Sequence, residues 1–296
     1  MGNASRNIRG ESQKAIVNLL QDLGRRHNLW EVWQDFVTMG AISIANAVGG
    51  AYRDEREKMY LERAARYTES ELNSFVTMFT EMVACMDHDA DQDFLGQLFM
   101  SLDLGNNWKG QFFTPYDICR LMAAMMDMDR AKSEIAEKGW IGVSDPACGA
   151  GALLLAFANE CCAPGKDINY QTSVLFVAQD VDFLAGCMCY IQLSLMGCAG
   201  YVVIDDTLAN PSVSYDRRGL LPKIGPQVWF TPMYYSSIWT GRQMIARMQL
   251  LESSPAEPEQ VPKPEPAKPE KETMEPKTIA PKHGYRETEF GQLTLF

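Results

Sequence analysis

Val143-Ser-Asp-Pro-Ala-Cys-Gly-Ala-Gly-Ala-Leu-Leu154 is the stretch whose reading decides the fold. It reads as a strand, a tight glycine turn and a helix. Ile141 and Val143 alternate into a turn at Asp145-Pro146. Gly149 and Gly151 let the backbone bend sharply and come close to a ligand. Residues 152–158 continue as a buried helix, so a helix N-terminus faces whatever the turn holds. That layout is a cofactor seat in an open α/β sheet, although a lone Gly-x-Gly also occurs in ordinary turns.

Working downstream, residues 173–178 read as a second strand ending at Asp180-Val-Asp182, and 183–196 as a helix. A carboxylate at the tip of the strand after a glycine turn can accept hydrogen bonds from ribose hydroxyls. Residues 200–204 form a third strand, followed by Asp205-Asp206-Thr-Leu208. Upstream, Gly110-Gln-Phe-Phe-Thr-Pro115 is a loop that opens a helix over 116–128. Further upstream the pattern is helical: apolar stripes at 3.6-residue spacing run through 12–23, 31–48 and 67–86, with a charged helix over 53–66. Residues 1–10 are polar and expected to fray.

Asp145-Pro-Ala-Cys-Gly-Ala-Gly151 resembles Asp-Pro-Ala-Cys-Gly-Ser-Gly, the cofactor motif of DNA N6-adenine methylases, especially the modification subunits of type I restriction-modification systems. Gly110 to Pro115 is similar to the Gly-Gln-x-x-Thr-Pro element of that family, in the same order. Asp93-Phe-Leu-Gly-Gln-Leu-Phe99 resembles the segment that leads into its methylase domain. The resemblance runs from about Asp93 to Leu208. It implies an α/β fold with a Rossmann-like class I methyltransferase core and S-adenosylmethionine as cofactor. Phe113, Thr114 and Pro115 would fold over its methionine end, and Asp145, Ala147, Gly149 and Gly151 would form the turn beneath it. Asp180 is the first choice for the ribose and Asp182 the second, and Asp206 aligns with the aspartate near the adenine ring. Plain readings stand beside these: Phe112 and Phe113 as core anchors, and strand-end acids as helix caps.

The family's catalytic signature is Asn/Asp-Pro-Pro-Tyr/Phe. A side-chain oxygen and a carbonyl orient the adenine amino group, and the aromatic ring stacks on the flipped base. This chain has no Pro-Pro dipeptide. Asn210-Pro211 follows the third strand too closely and lacks the aromatic. Thr231-Pro232-Met-Tyr234, after the short strand expected at 227–230, is the better candidate, with Thr231, Pro232 and Tyr234 as catalytic residues; a tyrosine-rich packing loop is the competing reading. Beyond it one helix, 236–251, is evident, so the cofactor half of the fold is present and the substrate half abbreviated. The expectation is an adenine-specific DNA methyltransferase with a divergent catalytic motif. The alternative is a degenerate methylase acting as an adapter on DNA or a sliding clamp.

The whole chain sets bounds. No apolar run approaches the roughly 20 residues that span a bilayer, and the N-terminus lacks a signal-peptide layout, so a cytoplasmic protein without a membrane partner is expected. The eight cysteines lack metal-ligand spacing and read as reduced buried thiols. Asp87-His88-Asp-Ala-Asp-Gln-Asp93 reads as a loop with a helix cap rather than a metal site, and no metal is expected. A net charge of −11 works against DNA affinity, which comes chiefly from Lys and Arg on phosphates.

The tail offers a route around that charge. Eight of the fifteen prolines lie between Pro255 and Pro281 among Glu and Lys, the composition of a disordered, extended linker. It ends in Gln292-Leu293-Thr-Leu295-Phe296, which resembles the pentapeptide that binds the bacterial sliding clamp, with Leu295 and Phe296 as anchors and Gln292 and Leu293 beside them. Tethering to a clamp would raise the local DNA concentration. The expected organisation is a helical domain over 1–105, a methyltransferase-like domain over 106–252 and the linker with its clamp peptide over 253–296. The expected partners are DNA, a clamp, and a specificity subunit or a second copy of the chain.

Overall fold

The computed structural model describes residues 2–102, 113–212, 214–216, 218–253, 286–287 and 293–294. The chain divides into two compact units, Met1–Ser254 and Pro255–Phe296. In the second, β5 (Arg286–Glu287) pairs antiparallel with β6 (Leu293–Thr294). Leu293 of the clamp-like peptide therefore lies in a strand, whereas Gln292, Leu295 and Phe296 fall outside the described residues.

The first unit opens with five helices: α1 (Gly2–Gly24), α2 (Leu29–Val48), α3 (Arg53–Ala64), α4 (Glu69–His88) and α5 (Phe94–Ser101). α1 begins well before the expected start, so the polar N-terminus is helical rather than frayed. Its buried Ile16, Leu20 and Leu23 recur at helical spacing. Asn28 caps α2 by accepting from the N–H groups of Trp30 and Glu31. α4 starts with a reciprocal capping box between Thr68 and Glu71. α2 is tied to its neighbours by Asp35, which is buried and accepts from Arg63, Arg66 and the Tyr67 hydroxyl at 3.3, 3.2 and 2.8 Å.

The helix expected over 116–128 breaks. α6 (Tyr116–Ala124) stops, and Asp127 caps a separate α7 (Met128–Lys138) by accepting from the Arg130 N–H. Then follow β1 (Ile141–Asp145), α8 (Ala152–Cys161), α9 (Tyr170–Ser173), β2 (Val174–Asp180), α10 (Phe183–Leu195), β3 (Ala199–Ile204), β4 (Val228–Phe230), a 3-10 turn Pro232–Tyr235 and α11 (Ser237–Ser253). The sheet order is β1-β2-β3-β4. β1, β2 and β3 are parallel, and β4 runs antiparallel against β3, with Tyr201 opposite Phe230 and Val203 opposite Val228.

Side chains alternate between the two faces of β2 and β3. Val174, Phe176, Ala178 and Val202 join α8, α10 and the N-terminal helices in one core. Leu175, Val177, Tyr201 and Val203 face the other way and pack with Val228, Tyr234 and Trp239. The first core runs from Ile16 to Trp229, so the boundary expected near residue 105 does not separate two cores. Arg56 makes that union concrete. It is buried, stacks over Trp229 at 4.2 Å and donates to the Val228 carbonyl at 3.0 Å. Val228 lies in the edge strand β4, so a helix from the first part of the chain covers an edge of the sheet.

Candidate active site

β1 delivers Asp145 to the carboxyl end of the sheet, and β2 delivers Asp180 beside it; the β1–β2 register pairs Asp145 with Ala178. The chain then turns through Gly149 at φ +54° and Gly151 at φ +95° into α8. Both values lie in the left-handed region that glycine enters without strain. Packing adds a second demand. A Cβ on Gly149 would stand 2.9 Å from the Phe113 ring, and one on Gly151 would stand 2.9 Å from Cys189 Sγ.

The turn is held by backbone donors. Gly149 N–H donates to Asp180 Oδ2 at 2.8 Å, Cys148 N–H to the Gln179 carbonyl at 2.9 Å, and Ala147 N–H to Asp145 Oδ1 at 3.1 Å. Asp180 Oδ1 accepts from the Asp182 N–H at 2.9 Å. Asp182 itself caps α10 through the Ala185 N–H at 2.8 Å, which is the plain role for the second ribose candidate. Burial raises the Asp145 carboxyl above its ordinary range; the Ala147 N–H opposes this, and the neighbouring Asp180 adds to it. Among the described residues, neither carboxylate has a cationic side chain as partner.

A cavity of about 270 Å³ opens above the turn, lined by Phe113, Thr114, Asp145, Ala147, Gly149 and Asp180 among others. Phe113 also packs on Phe99, with ring centroids 5.2 Å apart, so it is a core anchor and a cavity wall at once. Pro115 starts α6, its carbonyl accepting from the Ile118 N–H at 2.9 Å. Of the turn residues, Gly151 sits behind the cavity as the residue before α8. The loop after β3 reaches back across the site: the Thr207 hydroxyl donates to the Pro146 carbonyl at 2.6 Å. Asp206 is exposed, and its Oδ1 accepts from the N–H groups of Leu208 and Ala209.

Two positioning residues were not singled out from the sequence. Gln179 is buried, donates to the carbonyls of Asp205 and Asn210, and accepts from the Ser212 N–H at 2.7 Å, so it shapes the loop after β3. Gln192, also buried, donates to Asp93 Oδ1 at 2.9 Å and to the Ala150 carbonyl at 2.8 Å, and accepts from the Leu95 N–H at 3.1 Å. It links the segment 93–99 to the glycine turn. The signal was there: each is an amide in an otherwise apolar run, and a buried amide needs several partners.

Thr231, Pro232 and Tyr234 are not brought to this site. Because β4 is antiparallel, its C-terminal end lies beside the start of β3, at the opposite end of the sheet from Asp145 and Asp180. Thr231 is fully buried, its hydroxyl donating to the Cys198 carbonyl at 2.7 Å and accepting from the Gly200 N–H at 3.0 Å. Pro232 opens the 3-10 turn. Tyr234 is 4% exposed and donates to the Leu220 carbonyl at 2.6 Å. These three residues hold the back of the sheet, which is the packing role weighed against catalysis.

In the segment around His88, Asp93 caps α5 through the Gly96 N–H at 2.9 Å, and Asp91 accepts from the Tyr116 hydroxyl and pairs with Arg120. No helix among the described residues is long and apolar enough to cross a membrane. No curated protein and no solved structure matches the chain. The N-6 DNA methylase family model matches residues 99–259, more than half of the chain, spanning the glycine turn, both strand-end acids and β4. By that match, and by the turn that carries the methylase-like motif, the chain belongs to the N-6 DNA methylase family.

Proposed function

We propose that the chain binds S-adenosylmethionine in the cavity above the glycine turn and methylates adenine N6 in DNA, with a Rossmann-like arrangement of β1, β2 and β3 as the seat. One observation carries this reading. Asp145 and Asp180 stand together at the cavity without a cationic partner among the described residues, and a ligand with a sulfonium, an ammonium and a ribose supplies two positive charges and two hydroxyl donors to such a pair. Bound there, S-adenosylmethionine supplies an electrophilic methyl group. Asp180 is suited to the ribose hydroxyls, Asp145 to the positive end, and Phe113, Thr114 and Pro115 to covering it, while Asp206 sits on the exposed loop that borders the site. The cavity of about 270 Å³ is near the lower limit of small-molecule sites, about 300 Å³.

A second reading is favoured by the position of Thr231, Pro232 and Tyr234: a methylase that keeps its cofactor seat and acts as an adapter on DNA or a sliding clamp, or that takes its base-holding groups from a specificity subunit or a second copy. Calorimetric titration with S-adenosylmethionine, alongside transfer of labelled methyl to unmethylated DNA, separates the two. Binding lost in Asp180→Ala together with transfer by the unmodified chain supports the enzyme. Binding without transfer supports the adapter, and no binding refutes both.

A further inference from the structure

At the end of the sheet opposite the cofactor cavity, two guanidinium groups converge, and neither forms a salt bridge among the described residues. Arg218, from the connection between β3 and β4, lies 3.8 Å over the Trp140 ring and donates Nη2 to the carbonyls of Lys138 and Trp140. Arg242, on α11, lies 4.5 Å over the Trp239 ring and donates to the carbonyls of Thr172 and Gly139. The two indoles meet edge to face, 5.6 Å apart, so both cations rest on one aromatic platform. Burial lowers both guanidinium pKa values from their ordinary range, and Arg218 lowers that of Arg242 further. Asp216, which also lines the groove and opposes the shift at Arg218, already accepts from the N–H groups of Arg218, Leu220 and Leu221.

Each guanidinium caps its own pair of carbonyls, but the two cations still repel each other on that platform, and among the described residues no salt bridge offsets the repulsion. Arg218 Nε and Nη1 and Arg242 Nε have no hydrogen-bond partner among the described residues, and both side chains line one groove. A groove of about 680 Å³ opens in front of them, with Lys138, Tyr215 and Ile245 on its walls. Tyr215 is 63% exposed. Guanidinium forks match phosphate oxygens in geometry and charge, and an exposed ring beside a cationic groove suits a stacked base.

We propose that this groove binds a nucleotide phosphate, free or within a nucleic-acid strand. It does not rest on the methylase reading: β1 alone puts roughly 16 Å between its two ends, at about 3.3 Å per residue.

The test is fluorescence anisotropy of a fluorescein-labelled single-stranded 12-nucleotide probe (about one OB-fold's reach) with the full chain at low salt, with unlabelled ATP as competitor. Arg218→Gln and Arg242→Gln each remove one cation; Ile245→Glu puts a carboxylate on the groove wall without touching any of these hydrogen bonds. The expected result is probe binding that weakens about tenfold in Arg218→Gln and in Arg242→Gln, the size of one lost charge-assisted hydrogen bond, and that also weakens in Ile245→Glu through charge repulsion. Displacement by ATP identifies free nucleotides as a source; its failure identifies the strand. Should an arginine variant unfold early, Ile245→Glu decides. No binding of probe or ATP by the unmodified chain, or unchanged affinity in Ile245→Glu, would each overturn the proposal.

Discussion

Replacing Gln192 by leucine tests whether the glycine turn is held from below. The side chain fits a similar volume, but it cannot make any of the three hydrogen bonds. The Leu95 N–H and the Ala150 carbonyl lose their Gln192 partner, and among the described residues the Asp93 carboxylate keeps the Gly96 N–H alone. Each buried polar group left without a partner costs about 1–3 kcal/mol, and local relaxation recovers part, so the expected loss is about 3–5 kcal/mol. For a chain of this size that lowers the thermal midpoint by about 10 °C or more. Burial already raises the Asp93 carboxyl above its ordinary range, and Gln192 is the larger of the two groups opposing it. A folded-state pKa above the unfolded one means that the native state holds the proton longer, so stability falls as the pH rises through that interval. The deficit in Gln192→Leu should therefore widen from acid toward neutral pH. Urea unfolding followed by tryptophan fluorescence at pH 4 and pH 7 measures both effects. A loss under about 1 kcal/mol at neutral pH, or a deficit that does not grow with pH, would refute the account of this junction.

Gly151→Ala forces a left-handed alanine against Cys189 Sγ; about 1–3 kcal/mol of stability is expected to go, together with most of the S-adenosylmethionine binding, as calorimetric titration would show. Tyr234→Phe removes the bond to the Leu220 carbonyl and should cost about 1–2 kcal/mol while leaving methyl transfer per folded molecule unchanged; a collapse of kcat with stability intact would return Tyr234 to the chemistry. The Glu71 carboxyl is pulled from 4.5 to about 2, first by the Thr68 N–H. A depressed folded pKa gives stability that is present above about pH 4.5 and lost as the pH falls toward about 2, so Glu71→Gln should flatten the acid limb of the stability profile between those values.

Much of the fold was legible because its signals are local. The glycine turn, the acids after β2 and β3, and the amphipathic helices each announce themselves within a dozen residues, and Asp180 stands where the strand-then-acid pattern puts it. What was not legible is pairing. The residues of β4 read as a strand, but nothing in Val-Trp-Phe says that it runs antiparallel against β3. That direction alone carries Thr231 and Tyr234 to the end of the sheet opposite Asp145 and Asp180. The break after α6 turns on a cap, Asp127, hidden among methionines. Gln179 and Gln192 are not legible in the sequence because a polar residue in an apolar run shows its meaning only through its partners, which lie 26 to 99 positions away.

The contact between Arg56 and Val228 spans 172 positions. At about 5–20 residues per second, a ribosome needs roughly 10–30 s to supply the second partner after the first. During that interval the nascent helices carry a guanidinium and an apolar flank meant for Trp229, with neither covered. The first hundred residues are thus a half-finished object while they wait, exposed to chaperones and proteases, and cutting the gene after them should yield a fragment that aggregates rather than a small helical protein.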